Sequence, residues 1–113
     1  MILEQIDILI EEVDDAEFIH PDGLKWAKTN ENKIKKIISK KMLALYNTSW
    51  REDDPKINNK QFESRIKLSI VYKSEVQGGD INVYFTDGDL FLGHSIEAVF
   101  DKNKKLVTIG LAG

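Results

Sequence analysis

The second half of this chain alternates apolar and polar residues in four short runs separated by turn residues. The runs cover residues 66–73, 81–86, 90–100 and 106–111. Alternation with a period of two is typical of strands that bury one face. In the first run it predicts that Leu68, Ile70 and Tyr72 lie on the same face. Gly-, Asn- and Asp-rich connections allow tight reversals, so the pattern predicts a four-stranded antiparallel meander. A sheet that buries one face requires a second layer to cover it.

Residues 30–47 are predicted to supply that layer as an amphipathic helix. Their apolar side chains are Ile34, Ile37, Ile38, Met42, Leu45 and Tyr46. These recur at helical spacing and form one continuous stripe. Thr29 or Asn30 is predicted to cap the start of the helix. The sequence therefore predicts an α+β fold, a single two-layer domain over residues 1–113 with this helix across one face of the meander.

Shorter elements are predicted before and after the main helix. A turn at residues 20–23 precedes a short helical turn around Trp26. A second short helix is predicted to begin after a cap at Asn58 or Asn59 and to run through Ser64. The apolar residues of 2–13 fit a helix or a strand, and their density of isoleucine favours an additional N-terminal strand.

Composition excludes several classes of protein. The chain has no cysteine, so disulfides, thiolate catalysis and cysteine zinc sites are excluded. No apolar run approaches about 18 residues and the chain starts without a basic segment, so we expect a cytoplasmic protein with no membrane partner. The net charge of −3 argues against a nucleic-acid partner.

Charge is arranged in blocks along the first third of the chain. Residues 1–24 contain acids and no lysine or arginine, whereas residues 25–41 are rich in lysine. We expect the two blocks to lie side by side and compensate each other. Alternatively, the acidic block is a docking surface for a basic partner. Its candidate partner-binding residues are Asp14, Asp15, Glu17 and Asp22.

One constellation offers chemistry, since no glycine-rich phosphate loop, zinc-protease helix motif or serine-hydrolase elbow occurs. It comprises Asp87, Asp89, Gly93, His94 and Ser95. Adjacent strand residues point to opposite faces, so Ser95 is poorly placed as a nucleophile activated by His94. We therefore expect structural roles, with no catalytic residue, metal or cofactor. The alternative is a small metal-dependent or acid–base enzyme centred on Asp87, Asp89 and His94.

The expected role of His94 follows from alternation. It would share the core face with Leu92 and Ile96, and its ring would be largely buried. A buried imidazole requires a hydrogen-bond partner, which we expect in the preceding turn. Gly93 would provide a bulge or a close backbone approach.

The C-terminal part resembles a bacterial family known only as a domain of unknown function. The resemblance rests on the segment Leu90-Phe91-Leu92-Gly93-His94-Ser95-Ile96, the Ala112-Gly113 pair, the segment Leu45-Tyr46-Asn47-x-x-Trp50 and the helix with Phe62. It spans about residues 42–113 and leaves out the acidic segment 1–24. Relatives of this kind are encoded beside polymorphic toxins. The resemblance therefore implies a non-catalytic protein-binding domain, in its most specific form an immunity protein that neutralises a toxin by direct binding. The sequence leaves open whether the chain forms a homo-oligomer.

Overall fold

A computed structural model describes residues 18–112, which form three α-helices followed by four strands. The helices are α1 (Pro21–Thr29), α2 (Glu31–Leu45) and α3 (Asn59–Arg65). The strands are β1 (Lys67–Lys73), β2 (Ile81–Thr86), β3 (Ser95–Phe100) and β4 (Leu106–Ala112). They pair antiparallel in the order β1-β2-β3-β4. The predicted α+β class and the four-stranded meander are confirmed, whereas the N-terminal strand predicted within 2–13 lies outside the described residues.

Helix α2 is the amphipathic helix that the sequence predicted. Ile34, Ile38 and Met42 recur every four residues and are buried against the sheet. The helix runs on into one π-helical turn, Tyr46–Trp50, whose first residue is also buried. Leu45 was predicted in the buried stripe but is 38% exposed. A helix turns by about 100° per residue, so Leu45 lies at the border of a stripe that continues through Tyr46.

The turn predicted around Pro21 is instead the first turn of α1. His20 precedes it as the N-cap, and its Nδ1 accepts a hydrogen bond from the Gly23 N–H at 2.8 Å. Pro21 is the first residue of the helix. An N–H at that position has no acceptor within the helix, so the lack of an N–H in proline costs no hydrogen bond. Asn30 does not cap α2 with its side chain. Its Nδ2 donates to the Trp26 carbonyl at 2.9 Å, so Asn30 closes α1.

Helix α3 begins as predicted, with Asn58 as its cap. The Asn58 Oδ1 accepts from the Gln61 N–H, and the Gln61 Oε1 accepts from the Asn58 N–H, each at 2.8 Å. This reciprocal pair is a capping box, which satisfies two otherwise unpaired backbone donors. The cap directs Phe62 into the core, where it is fully buried.

Strand β1 departs from simple alternation. Its register with β2 is irregular between Leu68 and Ile70. Leu68 and Val71 are therefore both buried in the core against the helices, on the front face of the sheet. Ile70 and Tyr72 lie on the opposite, back face, so the prediction that Leu68, Ile70 and Tyr72 share a face is wrong. One extra residue in a strand moves every later side chain to the other face.

Within residues 18–112, no helix combines the length and the apolar composition that crossing a membrane requires. The longest described helix, α2, has 15 residues and carries lysines along its outer side. Its apolar residues form a stripe that packs on the sheet, as expected of a helix in a two-layer domain.

Candidate functional site

The loop at residues 87–94 joins β2 to β3 and is built around the carboxylate of Asp87. Oδ1 accepts the Asp89 N–H at 2.9 Å, and Oδ2 accepts the N–H groups of Phe91 and Gly93 at 2.8 and 2.9 Å. The Asp87 side chain is buried, with the residue only 5% exposed. Three N–H donors satisfy a buried carboxylate and fix the course of the backbone around it. Asp87 is therefore the internal anchor of the 87–94 loop.

This anchor explains why the third predicted strand is shorter than alternation indicated. The prediction began it at residue 90, but β3 begins at Ser95. The Asp87 carboxylate takes backbone N–H groups that strand pairing would otherwise use. Consecutive residues Leu90 and Phe91 are both buried, whereas Leu92 is 68% exposed with φ +56°. The expectation that Leu92 faces the core is therefore wrong.

Phe91 connects the 87–94 loop to the helical layer. Its ring is fully buried and contacts three aromatic rings edge-on. The centroid distances are 5.6 Å to Trp50, 6.0 Å to Tyr46 and 6.1 Å to Phe62. Edge-to-face aromatic pairs of this kind add specific geometry to apolar burial. The loop is thus held from inside by Asp87 and from the helices by Phe91.

Two glycines of the loop serve different purposes. Gly88 has φ +57°, and a Cβ there would lie 2.3 Å from the Arg65 carbonyl oxygen. The Arg65 guanidinium also donates to the Gly88 carbonyl, so this position joins the loop tightly to α3. Gly93 has φ +87° and no heavy atom within 4 Å of its Cβ position. Gly93 therefore supplies a left-handed turn conformation, and the predicted bulge or close approach is wrong.

His94 makes the hydrogen bond that the sequence predicted. Its Nδ1 lies 2.6 Å from the Phe91 carbonyl oxygen. A carbonyl only accepts, so Nδ1 carries a proton and donates it. The ring is half-buried rather than largely buried, with its centroid 5.6 Å from that of Trp50. It owes this position to the loop, since His94 precedes β3.

The residues proposed for metal or acid–base chemistry are not part of a metal-binding group within residues 18–112. Asp87 is committed to backbone donors, and Asp89 is exposed with φ +64°. No group of three or more histidine, aspartate or glutamate side chains in residues 18–112 is placed to hold a metal ion. Ser95 is the first residue of β3 and, as predicted, lies on the face opposite Ile96. Asp87, Gly93 and His94 each fix part of the 87–94 loop, and Ser95 begins the strand that follows it.

A cavity of about 330 Å³ opens between the 87–94 loop and the segment that follows α2. Its lining includes the acids Glu52, Asp53, Asp54 and Asp89, together with Trp50, Leu92, Arg51 and Arg65. The guanidinium of Arg51 donates to the backbone carbonyls of Asn47 and Asp54, each at 2.7 Å, and that of Arg65 donates to the Gly88 carbonyl. Both arginines keep their charge, so the lining carries four acidic and two basic side chains. We call the four acids, Trp50 and Leu92 the acidic surface.

Sequence reasoning missed the acidic surface, although it flagged Asp89. Residues 52–54 are adjacent acids in the printed sequence, which is a visible signal. Their meeting with Asp89 depends on the path of the chain from α2 to β2, which no local pattern reveals. Of the four acids predicted to bind a partner, Asp14, Asp15 and Glu17 lie outside the described residues. Asp22 is exposed in the first turn of α1, where a negative charge favours the helix dipole.

A second polar cluster lies on the back face of the sheet. The Tyr84 hydroxyl donates to Oε2 of Glu97, and Nδ2 of Asn82 donates to the same oxygen at 3.1 Å. Burial raises the pKa of Tyr84, and its hydrogen bond to Glu97 raises the pKa further. Tyr84 and Glu97 are cross-strand partners. In the predicted strands, both residues alternate with the apolar residues of the core and so point to the back face. Correct pairing of the two strands would therefore have predicted that Tyr84 and Glu97 are neighbours.

The described residues thus form a two-layer α+β domain whose most specific feature is the anchored 87–94 loop. The chain belongs to the family described as "Uncharacterized protein conserved in bacteria (DUF2262)", whose model matches residues 4–111. The predicted family resemblance is confirmed, and the match takes in most of the acidic segment that the resemblance had left out. No curated protein and no solved structure matches the chain.

Proposed function

We propose that this chain is a cytoplasmic, non-catalytic protein-interaction domain whose partner binds at the acidic surface. Leu92 is the observation that supports this most. It is 68% exposed and has φ +56°, so the fold neither buries its side chain nor favours its backbone conformation. Asn or Gly would suit that conformation better, so the leucine is explained by something outside the chain.

The surroundings of Leu92 indicate the chemistry of the partner. The acids Glu52, Asp53, Asp54 and Asp89 line the cavity beside it. The partner is then a protein with a basic surface and an apolar pocket that receives Leu92. Complementary charge accelerates association, and a buried apolar anchor contributes most of the affinity.

The 87–94 loop is suited to this role because its conformation is fixed before binding. Asp87 holds three of its N–H groups, and Phe91 is locked among aromatic rings. A preorganised loop loses little conformational entropy when a partner binds. Leu92 is therefore presented on a rigid support.

In its most specific form, the proposal is that the chain is an immunity protein that occludes a toxin by direct contact. The family resemblance supports a toxin as the partner, and the acidic surface supports a toxin with a basic substrate-binding surface. Asp14, Asp15, Glu17 and Asp22 stay candidates for a separate contact, since their negative charge would attract the same basic partner. Asp22 lies beside His20 and Asp80, at the end of β2 opposite the 87–94 loop.

The test compares Leu92→Asn with Val76→Asn, which alters another exposed apolar residue in a loop. The probe is the protein encoded by the adjacent gene, first in a pull-down at moderate salt and then in a measured dissociation constant. We expect Leu92→Asn to weaken binding at least about tenfold, as loss of a binding anchor does, and Val76→Asn to change it less than about twofold. Asn tolerates a positive φ, so the melting temperature of Leu92→Asn should not fall. Absence of binding by the wild-type chain, or equal binding by both variants, contradicts the proposal.

A further inference from the structure

The two edges of the sheet are protected very differently. Strand β1 begins and ends with lysine and contains a bulge. The residues before α1 also cover part of it, since the His20 N–H donates to the Val71 carbonyl at 3.1 Å and Ile19 bridges to Tyr72. Charges, bulges and covering segments are the devices that keep other strands from adding to a sheet edge.

Strand β4 has almost none of these devices. Its seven residues, Leu-Val-Thr-Ile-Gly-Leu-Ala, include no charge and no proline. Its one irregularity falls near its start, and residues 108–112 pair regularly with β3. In the part of the chain that the structure describes, no strand lies on the outer side of β4. Alternate backbone N–H and C=O groups therefore face outwards, as a template for another strand.

Gly110 leaves open space on the back face in the middle of β4. Its φ is not in the left-handed region, and no heavy atom lies within 4 Å of its Cβ position. Neither conformation nor packing within the described chain therefore requires glycine there, although glycine weakens a strand interior. Strand side chains stand on the faces of the sheet, so glycine here leaves room on the back face where two copies of residue 110 would lie opposite each other.

We propose that β4 pairs antiparallel with β4 of a second copy of this chain, with Gly110 opposite Gly110. The two four-stranded sheets would then form one continuous sheet of eight strands. In this register Ile109 lies opposite Leu111 of the second copy, and Leu111 lies opposite its Ile109. Both side chains are half-buried against the core on the front face, so pairing joins the two cores. The strand is thus complementary to itself.

Charge also favours a second copy in this orientation. Lys104 and Lys105 precede β4, and antiparallel pairing places them at opposite ends of the joined strands. At about 3.4 Å per residue the two pairs of lysines are more than about 30 Å apart, so they do not repel appreciably. Parallel pairing would set them side by side.

The expected dimer is weak, because one strand pair buries less area than a standard interface of about 1,200 Å² or more. We expect a dissociation constant on the order of tens of micromolar, and hence a monomer–dimer equilibrium that depends on concentration. The inference does not rest on the proposed function, since it concerns β4 and not the acidic surface.

Sedimentation equilibrium of the purified chain from about 5 to about 500 µM tests the dimer directly, since mass action fixes the dimer fraction at each concentration. Gly110→Lys sets two like charges opposite each other on the back face, each beside the Glu97 of its own copy. It should weaken dimerisation by up to about fivefold, the usual effect of a like-charged cross-strand pair. Thr86→Lys is the matched control, an exposed position on the back face of the interior strand β2, and should leave dimerisation unchanged. Circular dichroism verifies that both variants are folded. A wild-type chain that stays monomeric, or a dimer that Gly110→Lys leaves intact, overturns the proposal.

The register is tested by single cysteines, which give unique thiols because the chain has none of its own. Directly opposed residues have Cβ atoms about 4.5–5.5 Å apart, close enough for a disulfide with slight adjustment. Gly110→Cys should therefore form a disulfide-linked dimer under mild oxidation. Thr108→Cys should not, because the two copies of that residue lie about 14 Å apart along the strands. Cross-linking of Thr108→Cys as fast as Gly110→Cys overturns the assigned register.

Discussion

The imidazole of His94 connects the 87–94 loop to the helical layer at the scale of a single residue. Nδ1 holds the Phe91 carbonyl, and the ring packs edge-on against Trp50. His94→Ala removes both contacts, while the Phe91 carbonyl keeps its hydrogen bond from the backbone N–H of residue 94 at 3.2 Å. We expect the free energy of unfolding to fall by about 1–3 kcal/mol, from the loss of one side-chain hydrogen bond together with the packing of the ring on Trp50. Urea denaturation measures the change.

The neighbouring Ser95→Ala is the control for His94→Ala, since it also truncates a half-buried polar residue. We expect it to change stability by less than about 0.5 kcal/mol, as is usual away from buried networks. Binding of a partner by the folded fraction of His94→Ala should be little changed. An unaltered melting temperature for His94→Ala would falsify the structural role of the ring.

Tyr84 gives a prediction about alkaline pH. Burial and the bond to Glu97 raise its pKa in the folded chain above the usual value of 10.0. A raised folded pKa means that the fold favours the neutral phenol. This contribution to stability is complete below about pH 10 and is lost as the pH rises through the folded pKa. Denaturation at stepped pH should show wild type losing stability more steeply above about pH 10 than Tyr84→Phe. Parallel curves would contradict the assignment.

At the scale of elements, α2 can be tested through its two sides. Ile38 is fully buried against the sheet, whereas Lys36 is exposed on the outer side. Ile38→Asp would bury an unpaired carboxylate, so we expect the domain to unfold or to lose most of its stability. Lys36→Asp should change the free energy of unfolding by about 0.5 kcal/mol or less. Circular dichroism and urea denaturation measure both variants, and equal effects would show that the assigned buried side is wrong.

Elements with an unbroken period were predictable from the sequence. The stripe of Ile34, Ile38 and Met42 identified α2, and the Asn58 cap identified the start of α3. The β1 bulge was not predictable, because Leu68 and Ile70 fit strict alternation in the sequence. The position of the extra residue in a bulge is determined by how the strand packs against its neighbours, so the local sequence pattern does not indicate it.

The candidate site was predictable in position but not in shape. The sequence singled out the segment with Asp87 and His94, and the hydrogen bond of His94 to the preceding turn was foreseen. The direction of Leu92 was not, because alternation assumed a strand where Asp87 instead collects the backbone N–H groups. The approach of residues 52–54 to this loop is a tertiary contact, which sequence periodicity does not report.

At the scale of the whole molecule, a basic helix side is followed by an acidic segment. The exposed lysines of α2 lie along most of its length, and they are Lys33, Lys36, Lys40 and Lys41. Glu31 in the first turn suits the helix dipole, whereas the last turn contains no basic residue that would suit it. The acids of residues 52–54 follow the C-terminal end of the helix. Under the proposed function, this negative region would orient a basic partner towards the acidic surface.

The sequential order of the meander also governs how quickly the chain reaches this structure. Each strand pairs with its neighbour in sequence, through connections at 74–80, 87–94 and 101–105. Closing such short loops costs little chain entropy, and topologies rich in local pairing cross their folding barrier rapidly. Helix α2 precedes every strand, yet its apolar stripe has no cover until the sheet forms. Helix and sheet should therefore become stable together, in a single cooperative transition without a long-lived helical intermediate.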